Sequence, residues 1–170
     1  ISEAENLMTD TANGFVFLSE LVAKQAVVYQ DLHEGKSYAL PTFFPQIDDL
    51  LLDGFSKGDL HLIAGMSGNG KSALMLNFAK NQAKNGYCVG VVSLEMPETE
   101  NIIRLQASET QVPRWHIRQH LHRTDLEILL SNLSEMATLK IAFNTITGDI
   151  YALPFQVREM VEKHGLDILY

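Results

Sequence analysis

Cysteine is nearly missing from this chain: Cys88 is the single one in 170 residues. One thiol inside the apolar run YCVGVV builds no disulfide framework. It reads as a small core hydrophobe in a reducing, cytoplasmic setting. No apolar run reaches the roughly 20 residues that a membrane span needs. No signal peptide is visible, because the opening ISEAENLMTD is acidic and polar. The chain begins on Ile1 rather than Met, so a trimmed piece of something longer is expected. Positive charge is scarce as well. Thirteen Lys and Arg stand against 21 Asp and Glu, a formal net charge of −8. That counts against a broad nucleic-acid face, which is usually basic, and leaves room only for contact through local loops. Internal repeats and low-complexity segments are also lacking.

What is present is an ordinary globular composition, 46% hydrophobic and 20% charged, at a length that suggests one domain. Residues 1–14 read as a lead-in. The stretch FVFLSELVAKQAVVYQDLHEGK then sets Leu18, Leu21, Val22, Ala26, Tyr29 and Leu32 near one face at helical spacing. Gly35 is placed to stop that helix. The Pro-punctuated SYALPTFFPQ follows as a connector. An arm of this kind either packs on another body or folds back on its own domain; an apolar stripe requires one of the two.

Beyond the connector, helices and strands alternate. IDDLLLDGF reads as a short helix ending at Gly54, and LHLIAG as a buried strand. KSALMLNFAKNQAKNG reads as a helix with Leu74, Phe78 and Ala79 inward and Gly86 as its stop. YCVGVVSLE reads as a second strand. PETENIIRLQASE has the Pro and acidic start of a helix. TDLEILLSNLSEMA opens with Thr124 and Glu127 at capping-box spacing. LKIAFN is a third strand, PFQVREMVEKHG a helix ending at Gly165, and LDILY a fourth strand. Strands separated by helices predict an α/β fold, a mostly parallel sheet with helices on both faces.

The chemistry is concentrated in GMSGNGKSALM, residues 65–75. Gly65, Gly70, Lys71 and Ser72 complete the pattern G-x-x-x-x-G-K-[ST]. With Ser67, Gly68 and Asn69 they form a loop small enough for successive backbone N–H groups to converge on phosphates. The helix that follows adds a partial positive charge. Lys71 brings a point charge to the β- and γ-phosphates, and the Ser72 hydroxyl is a ligand for Mg²⁺. Glu95 comes just past the second strand. Ligands of open parallel sheets sit at the C-terminal ends of strands. Glu95 is therefore placed either to polarise an attacking water or to cap the helix after Pro97.

Four stretches, FSKGDLHLIAGMSGNGKSALMLNFA, VVSLEMPETENIIRLQAS, VPRWHIR and HGLDILY, together resemble the motor domain of DnaB-type replicative DNA helicases, from about Leu40 to Tyr170. SLEM followed by R-L-x-A-S is the specific part. The resemblance implies a RecA-like P-loop NTPase fold, with residues 40–170 a partial ATPase domain and residues 1–39 a lead-in and linker helix. It implies a Walker A role for Gly70, Lys71 and Ser72, a water-activating role for Glu95 and a nucleotide-site role for Arg104. It implies ATP and Mg²⁺ as cofactors, a linker helix docked on a neighbouring subunit, and a homo-hexameric ring. The ring would move 5′ to 3′ on single-stranded DNA, with a primase and a helicase loader as further partners. The Walker B aspartate, the DNA-binding loops and the arginine finger of the family are expected beyond Tyr170. The 170 residues are thus expected to bind nucleotide weakly and not to hydrolyse it. Two rivals share the cradle: a RecA-like recombination ATPase, against which SLEM speaks, and a nucleotide-gated ring or loader scaffold without motor activity.

PRWHIRQHLHR gathers Arg114, His116, Arg118, His120, His122 and Arg123 around Trp115. A stacking platform for nucleic acid is one reading. A solvated face with Trp115 packed inward is the expected one. His116 and His120 stand at i, i+4, but no third metal ligand has matching spacing.

Overall fold

The computed structural model describes residues 16–144 and 151–170. The lead-in expected at residues 1–14 lies outside the described residues. Helix α1 runs Leu18–His33 and ends where Gly35 turns left-handed, φ 80°. Its apolar stripe does not fold back: Leu18, Leu21, Val22, Tyr29 and Leu32 are all exposed. Only its end is tied down. Asp31 is buried and accepts hydrogen bonds from Lys36 and Tyr38, which fixes the exit from the helix.

Strand β1 (Ala39–Leu40) pairs antiparallel with β2 (Phe55–Ser56), and helix α2 (Pro45–Leu50) lies between them. The helix is shorter than IDDLLLDGF suggested, because Leu52 and Asp53 take positive φ and end it before Gly54. Gly54 is required where it stands. It has φ 127°, and a Cβ there would come 2.3 Å from the Leu40 carbonyl oxygen.

The central sheet has the order β4–β3–β5, all parallel, with β3 Val89–Val92, β4 Ile141–Asn144 and β5 Ile168–Leu169. Helix α3 (Lys71–Lys84) packs Ala79 and Ala83 against Val89 and Val91 on one face. Gly90 and Val92 look out on the other face, toward α7 (Leu153–His164). Period-two alternation along β3 thus serves a helix on each side. Helices α4 (Glu98–Thr110), α5 (Arg114–Gln119) and α6 (Arg123–Met136) make the crossover from β3 to β4. A second core cluster of Leu40, Phe55 and Phe78 joins the β1–β2 ribbon to α3, with Phe78 edge-on to both Phe44 and Phe55. Gln82, fully buried on α3, donates to the Pro41 carbonyl and accepts from the Tyr170 hydroxyl. One side chain therefore ties ribbon, helix and β5 together.

Two expectations are corrected. LHLIAG forms no strand: Leu60 and Leu62 are 96% and 89% exposed, and residues 60–66 have no ladder partner among the described residues. The reason lies in what flanks the run. It borders the outer edge of β5 across a cleft of about 370 Å³, and β5 is only two residues long. The cleft keeps the two backbones apart, so no ladder bonds form between them. Nor does Thr124 cap α6. The N-cap is His122, without a side-chain cap bond, and Glu127 turns to Arg123 at 3.3 Å instead. Helix α6 starts one residue before Thr124, so its hydroxyl is already inside the first turn.

Candidate nucleotide site

The loop between Gly65 and Ser72 is shaped by its glycines. Gly68 and Gly70 have φ 84° and 82°, the left-handed region where a side chain is strained. Gly65 is less constrained: a Cβ there would meet Lys71 Cγ at an ordinary 3.7 Å. Gly70 is the N-cap of α3 and offers no side chain to the first N–H groups of the helix. Those donors therefore stay open toward an anion, with the helix dipole behind them. Lys71 folds over the loop, its ammonium donating to the carbonyls of Gly65 at 3.0 Å and Met66 at 3.1 Å. Ser67, Gly68, Asn69 and Gly70 are exposed, and Ser72 is half-buried on the first turn of α3. The geometry fits a polyphosphate: open donors, left-handed glycines and one mobile cation. For Mg²⁺ the cradle offers the Ser72 hydroxyl, on the first turn of α3. Among the described residues no group of three His, Cys, Asp or Glu could hold a metal ion.

Glu95 is exposed, at the C-terminal end of β3. Its turn is rigid. The Ser93 hydroxyl donates to the Met96 carbonyl at 2.8 Å, and the buried Asn101 amide reaches the Met96 and Pro97 carbonyls at 3.5 and 3.4 Å. Glu95 does not cap α4. The N-cap is Pro97 and no side chain bonds the first turn. Helix α3 packs on β3 through Ala79 and Ala83, which brings the cradle helix against the strand that ends three residues before Glu95.

Arg104 lies half-buried on α4. Its Nε donates to Glu100 at 3.1 Å, and it borders a crevice of about 120 Å³ against Ala73, Leu76 and Asn77 of α3. It therefore stands beside the first turns of the cradle helix. A larger cavity of about 480 Å³ opens under α7, but none of residues 65–72 lines it. Its walls are the sheet face and α7. The site is placed by loop chemistry, not by cavity size.

The sequence reading missed two ion-paired carboxylates on α4, Glu100 buried and Glu109 half-buried. Glu100 accepts from Arg104, Arg114 and Arg118. Burial alone would raise its carboxyl pKa, but the bonds from Arg104 and Arg118 and the charge of Arg114 hold it below the ordinary value of 4.5. Glu109 is held down in the same way: burial is outweighed by Lys80 and Lys84. The signal was weak, since acids in a helix usually read as a solvated face. Trp115 is a further correction, being 58% exposed rather than packed inward. On the six-residue α5, Glu100 draws Arg114 and Arg118 to itself, while His116 turns to Asp125 at 2.8 Å and presents its ring to the indole edge. The indole is left on the outer side.

A left-handed glycine loop feeding an uncapped helix, beside a parallel sheet with a carboxylate at the neighbouring strand end, defines a P-loop NTPase of RecA-like fold. The family DnaB-like helicase C terminal domain matches residues 39–170, and the chain belongs to that family. It is 30% identical over 151 residues to the replicative DNA helicase DnaB of Synechocystis sp., an alignment that covers 86% of this chain and 17% of that protein. The fold is shared with a DnaB-like replicative helicase solved with its interactions with primase, at TM-score 0.73, 24% identity and coverage of 89% of this chain and 40% of that one. It is shared too with a second solved ATPase domain, at TM-score 0.75, 23% identity and coverage of 92% of this chain and 56% of that one. No helix among the described residues is long and apolar enough to cross a membrane.

Proposed function

We propose that these residues form the cradle-bearing part of the ATPase motor of a replicative DNA helicase. The observation that carries this is the cradle itself: Gly68 and Gly70 left-handed, α3 uncapped, Lys71 poised over the loop. Family membership over residues 39–170 supports it. In this reading the backbone donors of residues 67–72 and Lys71 hold the β- and γ-phosphates of ATP. Glu95 orients and polarises the attacking water, and Arg104 faces the nucleotide from α4. Mg²⁺ would neutralise phosphate charge, and the Ser72 hydroxyl is the group that would hold it. The exposed stripe of α1, with its fixed exit at Asp31, supports an arm that docks on a neighbouring subunit of a homo-hexamer. Single-stranded DNA would be gripped by loops outside residues 1–170 and moved 5′ to 3′. A primase and a loader are the further partners, and the cytoplasm is the compartment.

The test is unwinding of forked DNA by the full-length protein with ATP, comparing a free 5′ tail with a free 3′ tail. Unwinding that needs the 5′ tail and vanishes in Lys71→Ala is expected. Glu95→Gln is expected to keep ATP binding and lose turnover by about 100-fold or more, as for loss of a general base. Strand pairing without unwinding, or ring assembly without turnover, would overturn the motor reading.

A further inference from the structure

Between α3 and α4 lies a seam of polar side chains that the nucleotide chemistry does not use. Lys80 of α3 is 8% exposed, unusual for a lysine. Its ammonium meets Glu109 of α4 at 2.8 Å and donates to the Ser108 hydroxyl at 2.9 Å. That hydroxyl in turn donates to the Asn77 side-chain oxygen at 2.7 Å, and the Asn77 amide donates to the Ala73 carbonyl at 2.8 Å. Lys84 closes the far end, bonded to Glu109 and 3.3 Å from Glu135 of α6. A continuous chain of bonds thus runs from the last turn of α4 to the third residue of α3.

Where each helix begins gives the seam its meaning. Helix α3 starts at Lys71, directly on the cradle, and α4 starts at Glu98, three residues after Glu95. The turn from Ser93 to Pro97 is pinned by Ser93 and Asn101, so Glu95 follows α4 as one body. Leu76 of α3 and Leu105 of α4 are both buried and line one crevice between the helices, and this apolar burial resists separation. It is non-directional, however, and does not fix how far one helix slides along the other. A directional, hydrogen-bonded polar contact between helices can fix register, as a single buried polar residue does in coiled coils.

We propose that Lys80, Glu109, Ser108 and Asn77 are positioning residues: they set the register of α4 on α3 and so hold Glu95 at its working distance from the cradle. The catalytic half of this rests on the reading of Lys71 and Glu95 given above. The register half does not.

The experiment has two arms. In a Cys88→Ala background of the full-length protein, nitroxides at Ala73→Cys and Thr99→Cys, both exposed near the helix starts, report the α3–α4 distance by dipolar EPR. A single narrow distribution is expected in the parent. Lys80→Met and the milder Ser108→Ala should broaden it, and Lys80→Arg should keep it narrow. In the full-length protein, Lys80→Met should lower kcat by about 10- to 100-fold, the usual cost of a misplacement near 1 Å, while the KM for ATP stays within about twofold. Lys80→Arg should restore most of the rate.

A distribution that is already broad in the parent, or unchanged in Lys80→Met and Ser108→Ala, overturns the proposal. So does a joint loss of kcat and KM that tracks a lowered Tm, which marks a merely structural pair. Broadening in Lys80→Met with no ATP turnover by the parent protein would sink the motor reading and leave the register intact. Turnover lost in Lys71→Ala but untouched in Lys80→Met would keep the motor reading and overturn the positioning of Glu95 by this seam.

Discussion

Strand β3 and the run Leu60–Gly65 read alike in sequence. Each is a short apolar stretch that ends in a loop bearing chemistry, Glu95 in one case and the cradle in the other. In the structure they differ completely. Val89 and Val91 are 0% and 1% exposed, while Leu60 and Leu62 stand 96% and 89% exposed. β3 has a neighbour on each edge, β4 in register over four residues and β5 over two, and α3 covers one face. The run at 60–65 faces β5 across a cleft and meets the ribbon core through side chains alone, His61 against Phe55 and Ile63 against the second core cluster. The lesson is that apolar composition proposes a strand and only a partner makes one, since an unpaired backbone does better in water than against an edge that cannot bond it.

The comparison can be broken or sharpened by substitution. The largest effect belongs to Val91→Asp, which buries a charge at the centre of the sheet. It should cost more than about 4 kcal/mol, the range reserved for such lesions, and abolish cooperative unfolding by urea. Retained cooperativity would mean that β3 is not the core it looks like. Next is Gly54→Ala, beside the ribbon that leads into the exposed run. Its Cβ would press on the Leu40 carbonyl at 2.3 Å with φ at 127°, and the loss should be about 3 kcal/mol in thermal unfolding. A neutral result would show that the ribbon is loosely held and that the contrast begins earlier in the chain.

Acid stability gives a smaller effect, and it belongs to α4, which follows β3. Glu100 and Glu109 both titrate below 4.5 in the folded chain, so the unfolded chain binds more protons as acid is added. Their contribution is complete above that value and is lost as pH falls through the folded pKa values. The Tm should fall below about pH 4.5, and Glu100→Gln should flatten that limb. An acid limb unchanged in the variant would show that the arginine cluster adds no stability. Smallest of all, Leu62→Asp should change stability by no more than about 0.5 kcal/mol, as for an exposed position without partners. A loss comparable to that of Val91→Asp would mean that the run is buried in solution.

Much of the candidate site was legible in the chain. The cradle follows from Gly68, Gly70, Lys71 and Ser72 because left-handed turns and an uncapped helix start are local matters of backbone sterics. The stops at Gly35, Gly86 and Gly165 are local for the same reason, each with positive φ just past a helix end. Thr124 misled because a capping box depends on where the helix begins, and the N-cap is His122, two residues earlier. Trp115 misled because its direction is set by what Glu100 and Asp125 do to its neighbours. Apart from Arg104, four residues along the same helix, the partners of Glu100 and Glu109 were invisible: Arg118 is 18 positions from Glu100, and Lys84 is 25 from Glu109. Spacing along a chain says nothing about ion pairs between helices.

The sequence by itself determined the phosphate cradle, the alternation of helix and strand, and the family, since these rest on short-range sterics and on residue types at fixed spacing. Only the tertiary structure decided that β3 lies at the centre with β4 and β5 at its edges, that the run before the cradle stays unpaired, and that Glu100 and Glu109 bind α4 to its neighbours. Those outcomes depend on distances between residues far apart in the chain, and packing alone settles such distances.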